Sequence, residues 1–334
     1  MQNFDNSSKP LVSIGVPVFN GEIGLANTLE SLINQDYLNL EIIVSDNAST
    51  DATASICEEF ARRDSRVKYY ISETNRGAIW NFNRVSEIAT GKYFMWAAHD
   101  DRRELSFVSA CVAKLESCPD AVLCQAKTAL FIEGKNELMC VNDLNSFDSV
   151  NGLVERYKET LYRFPMTAIY GLYRLSAIHK THGFTKSIAT DVAFIQEISI
   201  FGNFVQVPDI LFSYMGREKW NTINQDYQIF FGKKEKPWWY LPFAALFRNH
   251  WNRVNQSPIS LILKIRLWTL LIKYQSEQIA IKILIKLVVL FCPEKWKEFI
   301  GVKMYWNWMH SVNVKVNCHS LFLSRVIKPR LGLS

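Results

Sequence analysis

The stretch from Tyr93 to Glu104, YFMWAAHDDRRE, sets two adjacent carboxylates, Asp100 and Asp101, just after an apolar, aromatic run that reads as a buried strand. Adjacent carboxylates at a strand end suit a hard divalent cation such as Mg2+ or Mn2+, which takes few protein oxygens and fills its shell with water and substrate phosphates. A cation held there bridges a diphosphate and stabilises the charge that develops as it leaves. Two more polar groups stand at strand ends earlier in the chain. Asn20 follows LVSIGVPVF (11–19), and Asp46 closes LEIIVSD (40–46), within reach of a base or ribose. Aspartates are also common as loop and helix-capping residues, so the signal is the convergence of three strand ends rather than one Asp pair.

The elements that position these ends alternate. After the first strand, EIGLANTLESLINQ (22–35) predicts a helix with Ile23, Leu29, Leu32 and Ile33 near one face. After the second, TASICEEFARRD (53–64) predicts an amphipathic helix; VKYYISE (67–73) is a third strand, and AIWNFNRVSEIA (78–89) a third helix stopped at Thr90-Gly91. A β-α-β-α-β-α-β order implies an α/β fold with a mainly parallel sheet flanked by helices, whose ligand site lies beyond the carboxyl ends of the strands. Further on, the pattern predicts a helix near 106–116, a strand at AVLCQAKTALFI, a hairpin around Gly134-Lys135, and a helix near 149–163. A short strand around AIYGLYR and a helix near 191–201 follow. FVQVPDILFSYM (204–215) reads as a closing edge strand, because Pro208 lacks the N–H that a central strand needs. Trp80 and Trp96 are expected in the core.

Composition divides the chain. From Lys233 on, 17 Lys and Arg stand against four Glu and no Asp, +13 in all, whereas the preceding residues total −7. Seven of the ten tryptophans (Trp238, Trp239, Trp251, Trp268, Trp296, Trp306, Trp308) also fall there. The expected division is therefore a catalytic domain at 1–232 and a helical, basic, Trp-rich region at 233–334 that associates with a membrane or makes oligomers. Charges interrupt each apolar run of this region before the roughly 18 residues a span requires, and Lys282 and Lys286 share one helical face, so it is expected to lie in the interface. Basic residues among Trp, Leu and Ile suit an anionic membrane surface; the long aliphatic runs argue against a nucleic-acid partner. The seven cysteines show no zinc spacing and read as reduced, mostly core thiols. MQNFDNSSKP lacks the regions of a signal peptide. The expected location is cytoplasmic, peripheral on the cytosolic face of the membrane.

Three blocks in order, VSIGVPVFNGE (12–22), EIIVSDNASTDAT (41–53) and NRGAIWNFNRVSEIATGKYFMWAAHDD (75–101), resemble the family 2 glycosyltransferases of the GT-A fold. IATDVAFIQEISIFGNFVQVPDILFSY (188–214) resembles their acceptor-side segment more weakly. The resemblance implies an inverting transfer of a sugar from a nucleotide-diphosphate donor, UDP being the commonest, with Mn2+ or Mg2+. It also implies the roles of single residues. Pro17, Phe19 and Asn20 line the nucleotide pocket with Glu22 close by, Asp46 meets the base or ribose, and Asn75 to Arg84 cover the nucleotide. Asp100 contacts the ribose or the shell of the metal, Asp101 is the main metal ligand, and Asp191 is the general base toward the acceptor hydroxyl, a carboxylate that stays ionised at neutral pH. The acceptor is expected to be a lipid-linked or polysaccharide glycan.

The sequence departs from the family pattern in three places. His99 stands where the first carboxylate of D-x-D is usual, Ser45 precedes Asp46 in place of a second Asp, and Val192 follows Asp191 in place of a second acid. Asp191 can also be read as a helix-capping residue at the start of TDVAFIQE. The competing readings are a degenerate nucleotide-sugar-binding or membrane scaffold and a sugar nucleotidyltransferase. The latter is disfavoured because PVFNGEIG carries no basic residue for a triphosphate, and a dinucleotide-dependent dehydrogenase because no GxGxxG follows the first strand. His179 and His182 around Lys180 are expected in a solvated loop. Arg217 and Lys219 are candidates to neutralise a diphosphate or lipid phosphate.

Overall fold

A computed structural model of the 334-residue chain describes residues 9–291, except 133–134, 143–149, 151, 164–166, 217–221, 233–235 and 238–240. The chain opens with β1 (Val12–Val18), α1 (Leu25–Ile33), β2 (Leu40–Asp46), α2 (Thr53–Arg63), β3 (Val67–Ile71), α3 (Ala78–Glu87) and β4 (Tyr93–Trp96), the expected alternation. Next come β5 (Arg102–Arg103), α4 (Phe107–Ser117), β6 (Ala121–Ile132), β7 (Lys135–Asn142) and α5 (Leu153–Tyr162). A 3-10 turn at Ala168–Tyr170 leads to β8 (Leu172–Arg174), α6 (Leu175–Ile178), α7 (Thr190–Ile198) and β9 (Asn203–Gly216). The last elements are α8 (Ile223–Phe231), α9 (Pro242–Gln256) and α10 (Leu261–Phe291).

Strands β1 and β2 are buried at every position, their polar residues Ser13, Glu41, Ser45 and Asp46 included, as in a parallel sheet covered on both faces. The sheet order is β3-β2-β1-β4-β8-β6-β9-β5, with β7 paired to β6. Parallel pairings join β3, β2, β1 and β4, and β6 to β9; β8 is antiparallel to both β4 and β6, so it is inserted against the common direction. The result is a mixed, mainly parallel sheet. One face carries Leu29, Cys57, Phe60, Phe107 and Leu115 over Ile14, Ile42 and Met95. The other carries Val85, Phe194 and Ile198 over Phe94, Trp96 and Tyr173.

Some expectations hold and others shift. Strand β9 lies between β6 and β5, but β5 pairs with it only at Phe212 and Ser213, so the exposed stretch around Pro208 pairs with β6 alone and is an edge there, as expected; its register with β6 jumps from Ala126↔Val207 to Lys127↔Ile210. Pro208 and Asp209 occupy that bulge, so the missing N–H of proline costs no ladder bond. Ile23 is 87% exposed because α1 begins only at Leu25, after Gly24. Trp96 is in the core, with four aromatic rings about it and its Nε1 donating to the Phe82 carbonyl. Trp80 is only partly buried, stacked by Arg76 and Arg84. Cys57, Cys111, Cys118 and Cys124 are free thiols, all but Cys118 buried. Gly134, Arg217, Lys219, Cys292, Cys318 and the tryptophans at 238, 239, 296, 306 and 308 lie outside the described residues.

Within the basic region, α9 and the first half of α10 pack on α5 and α7. Val254, Leu267 and Leu271 join Tyr157, Leu161 and Ile200 in a third cluster, and Trp251 stacks on Trp268 with ring centres 5.0 Å apart. Arg253 of α9 passes between α7 and the loop before it. Its guanidinium pairs with Glu197, a buried carboxylate that also meets the His182 ring, and donates to the Gly183 carbonyl at 2.6 Å and Thr185 Oγ1 at 3.1 Å. His182 is an exposed loop residue, as expected, and its ring meets Glu197 of α7. Among the described residues no helix is long and apolar enough to cross a membrane.

Candidate active site

The parallel register places Val18 beside Asp46 and Gly15 beside Trp96, so the loops after β1, β2 and β4 emerge on one side of the sheet. The first two loops are laced together. Asn20 turns through a left-handed conformation (φ 52°), its N–H donates to Ser49 Oγ at 2.9 Å, and its Oδ1 accepts from the Thr50 N–H at 2.9 Å. Glu22 accepts from the Ala52 N–H at 3.2 Å and donates its own N–H to Asp51 at 3.1 Å. Phe19 is 43% exposed at the end of β1, whereas Pro17 is buried within the strand.

Asp46 is fully buried. One carboxylate oxygen accepts from the Ser49 N–H at 2.8 Å, and the other from the Tyr69 hydroxyl at 3.0 Å, so the side chain shapes the turn after β2. The next loop hangs on Asn47, whose Nδ2 donates to Asn75 Oδ1 at 2.9 Å and whose Oδ1 accepts from the Arg76 N–H at 3.0 Å. Asn81 of α3 donates to the Val18 and Ser45 carbonyls and accepts from Ser45 Oγ, tying the ends of both strands to one helix. Asn81 falls within the stretch Asn75 to Arg84 expected to cover the nucleotide, whereas Asn47 was not among the expected site residues. Asn75 is exposed; Arg84 stacks between Trp80 and Tyr70 at 4.9 and 5.9 Å from their ring centres. The C-terminus of α8 closes on this loop. A Cβ at Gly232 (φ 62°) would lie 2.9 Å from the Gly77 nitrogen, so the contact requires glycine there.

Beyond β4 the chain presses against the start of α1. A Cβ at Gly24 would lie 2.9 Å from the His99 carbonyl oxygen and 3.4 Å from Asp100 Cα, and Thr28 donates to the Asp101 carbonyl at 2.9 Å. These contacts fix the two carboxylates in different surroundings. Asp100 is exposed, whereas Asp101 is 2% exposed; its Oδ1 accepts from the Met215 N–H of β9 at 3.2 Å, and its Oδ2 is buried without a hydrogen-bond partner. Burial and the charge of Asp100 push the Asp101 carboxyl up to about 7, against the opposing pull of Arg103 and the Met215 N–H. Arg103, itself buried, is held down to about 10 by burial although Asp101 opposes the shift. Its guanidinium lies between the Phe107 and Phe212 rings and donates to the Trp96 and Tyr170 carbonyls.

Asp191 lies in the first turn of α7, two residues after Ala189, which occupies the capping position in a left-handed conformation (φ 57°). The capping role is therefore taken by another residue. Burial holds the Asp191 carboxyl above the usual range; hydrogen bonds from the local backbone oppose this, and Asp226 of α8 adds to it. The Tyr170 hydroxyl gathers the candidates: burial raises it far above its ordinary value, and Asp101, Asp100 and Asp191 all add to the shift, so all three carboxylates lie within electrostatic reach of one ring.

The donor set suits a hard cation. A buried carboxylate oxygen with no partner next to an exposed carboxylate supplies oxygen ligands and an unmet demand for positive charge. Among the described residues no group of three or more His, Cys, Asp or Glu is arranged as a metal site. A cation held by Asp101 and Asp100 would take the rest of its shell from water and ligand phosphates.

Residues 13–168 match the sequence profile described as Glycosyl transferase family 2. An uncharacterized glycosyltransferase of Haemophilus influenzae is 39% identical over 107 residues, 32% of this chain and 33% of that protein. The Campylobacter jejuni protein named GalNAc(5)-diNAcBac-PP-undecaprenol beta-1,3-glucosyltransferase is 36% identical over 93 residues, 28% of this chain and 30% of that one. The matched stretch thus spans no more than a third of the length of these relatives. Among solved structures, S. aureus TarS 1–349 in complex with UDP-GlcNAc aligns over 90% of this chain and 81% of its own with a TM-score of 0.59 at 16% identity. The mannosyltransferase PcManGT of Pyrobaculum calidifontis, in complex with GDP-Man and Mn2+, covers 99% of this chain and 90% of its own at a TM-score of 0.51 and 14% identity. At such identities these two show the fold. The ordered motifs, the GT-A sheet that carries them and the profile match together make residues 13–168 a glycosyltransferase domain of family 2.

Proposed function

We propose that the chain moves a sugar from a nucleotide-diphosphate donor, a UDP-sugar by preference, to a hydroxyl of a lipid-linked or polysaccharide acceptor, with inversion and with Mn2+ or Mg2+ bound. The observation that carries this reading is the buried, unpartnered Oδ2 of Asp101 beside exposed Asp100 at the end of β4, with Asp191 within electrostatic reach of the same tyrosine, Tyr170, as both. The UDP and UDP-GlcNAc held by TarS and the PP-undecaprenol in the name of the Campylobacter relative support the donor and acceptor classes.

In this reading Pro17, Phe19, Asn20, Glu22, Asp46, Asn75 and Arg84 surround the nucleotide, and Asp101 and Asp100 hold the metal. When bound, a divalent cation supplies positive charge for the departing diphosphate. Asp191 takes the proton of the acceptor hydroxyl as its oxygen bonds to the anomeric carbon. The bond from that carbon to the diphosphate breaks on the opposite face, and its electron pair leaves with the nucleotide. A carboxyl raised by burial is the better base, because its proton affinity lies nearer the working pH. The work is placed on the cytosolic face of a membrane, with the basic helical region as the attachment and self-association open to it; no nucleic acid takes part.

A thermal-shift titration with UDP, GDP and dTDP, with and without Mn2+, tests the reading on wild type and Asp101→Asn. The expected result is a UDP shift that requires Mn2+ and disappears in the variant. Absence of a shift with every nucleotide would overturn the transferase reading in favour of a degenerate scaffold.

A further inference from the structure

Helix α10 buries Leu267, Leu271 and Gln278 on its inner side and leaves its outer side to solvent. Leu261, Ile265, Ile272 and Ile279 are each at least half exposed. At 3.6 residues per turn they fall in one row within about 40°. Ile262, Arg266 and Lys273, all exposed, form a second row beside it. From Leu261 to Ala280 the one acidic residue is Glu277, whose carboxylate accepts from the Tyr162 hydroxyl at 2.8 Å. The tryptophans described in this region turn inward, Trp251 against Trp268, so the outward aliphatic row is a separate feature.

A row of large aliphatic side chains repeated along one exposed side of a helix marks a surface that something covers. Charge indicates what: the row is flanked by cations, carries no exposed acid, and belongs to a region with 17 basic residues against four acidic ones. We propose that the outer face of α10 docks on an anionic lipid bilayer, the helix lying along the interface. The aliphatic row enters the boundary between headgroups and acyl chains, and Arg266 and Lys273 meet the lipid phosphates. The helix is interrupted by charge too often to span, which agrees with this parallel orientation. The inference rests on the membrane placement proposed above and adds the surface that makes it, independently of the transfer chemistry.

The test uses the full chain with sedimented vesicles of phosphatidylcholine alone and of an equimolar mixture with phosphatidylglycerol. Wild type is expected to sediment with the anionic vesicles, to stay in solution with the neutral ones, and to be released progressively by salt. Arg266→Gln and Lys273→Gln each remove one cation from an exposed position and are expected to weaken binding roughly fivefold. Ile265→Ser with Ile272→Ser should abolish it, whereas Leu38→Ser, an equally exposed aliphatic elsewhere, should leave it unchanged. Anionic vesicles that leave wild type in solution, or variants that bind as wild type does, would overturn the assignment. So would self-association of wild type that the Ile265→Ser, Ile272→Ser pair disrupts, because the face then belongs to a second copy. Nucleotide binding measured on the same preparations separates the two readings: lost vesicle binding with intact UDP binding refutes the docking face alone, and the converse refutes the transferase reading alone.

Discussion

Replacing Arg253 with Met should destabilise the catalytic fold although the residue lies in the basic region, far along the sequence from every motif. Arg253 is 2% exposed and makes four contacts: with Asn249 of its own helix, with Glu197 of α7, and with Gly183 and Thr185 of the loop that leads to Asp191. Methionine fills a similar volume but leaves the Glu197 carboxylate, also 2% exposed, with the hydrogen-bond contacts of His182 alone in place of a guanidinium. Removing one member of a buried pair costs about 3–5 kcal/mol, because the other charge stays buried without compensation. Two carbonyl or hydroxyl acceptors lose their donor as well, so the upper part of that range is expected. Urea unfolding of Arg253→Met, Glu197→Gln and the double variant supplies the measurement. The double variant should be less destabilised than the sum of the singles by at least about 2 kcal/mol, since it buries no lone charge. Additive losses, or a cost below about 1 kcal/mol for Arg253→Met, would refute the view that α9 is part of the catalytic fold.

Three further outcomes follow from other parts of the structure. Glu41 accepts from Ser13 Oγ, Thr90 and Lys68; burial pushes its carboxyl up, but these donors together bring it down to about 2. Its contribution is present above the unfolded value near 4.3 and is lost as pH falls from there toward 2; after allowance for solvent screening Glu41→Gln should cost about 2 kcal/mol in urea at pH 7 and nothing near pH 2. Gly24→Ala places a Cβ 2.9 Å from the His99 carbonyl oxygen, a backbone atom that cannot move alone, so Asp100 should shift. Calorimetric titration should then show metal-dependent UDP binding weakened by about tenfold, with a stability cost of about 1–3 kcal/mol. Asp191→Asn should leave the UDP-dependent thermal shift intact and reduce sugar transfer by about 10²–10⁴-fold; comparable loss of nucleotide binding would count against its role as base.

What the sequence made legible was the part governed by local pattern. The runs 11–19, 40–46 and 121–132 are largely apolar, and they are strands β1, β2 and β6 within a residue or so. The strand-end residues Asn20, Asp46 and Asp100 with Asp101 follow from that pattern, since parallel pairing leaves no other end for the loops. What stayed hidden depends on partners distant in sequence. Nothing local distinguishes Arg103 from Arg102, yet Arg103 is buried between Phe107 and Phe212, and the ring of Phe212 arrives from β9 more than a hundred residues later. Pro208 marked the edge stretch of β9 because its missing N–H is a local fact, whereas the bulge it occupies belongs to the pairing with β6.

The same asymmetry explains the site. Asp46 is a strand-end carboxylate by sequence, but only the fold shows both of its oxygens occupied by Ser49 and Tyr69. Asp101 is a strand-end carboxylate too, yet the fold leaves one oxygen buried and unpartnered: β9 offers it a single N–H, and the hydrogen bonds of Arg103, both from Nη2, go to backbone carbonyls. Two carboxylates equivalent in sequence thus differ in electrostatic demand. Asp46 is already satisfied and organises a turn; Asp101 is raised toward neutral pH and regains its charge most readily when a cation sits against it. That difference, rather than the motif alone, ranks Asp101 above Asp46 as the residue whose chemistry changes when ligand binds.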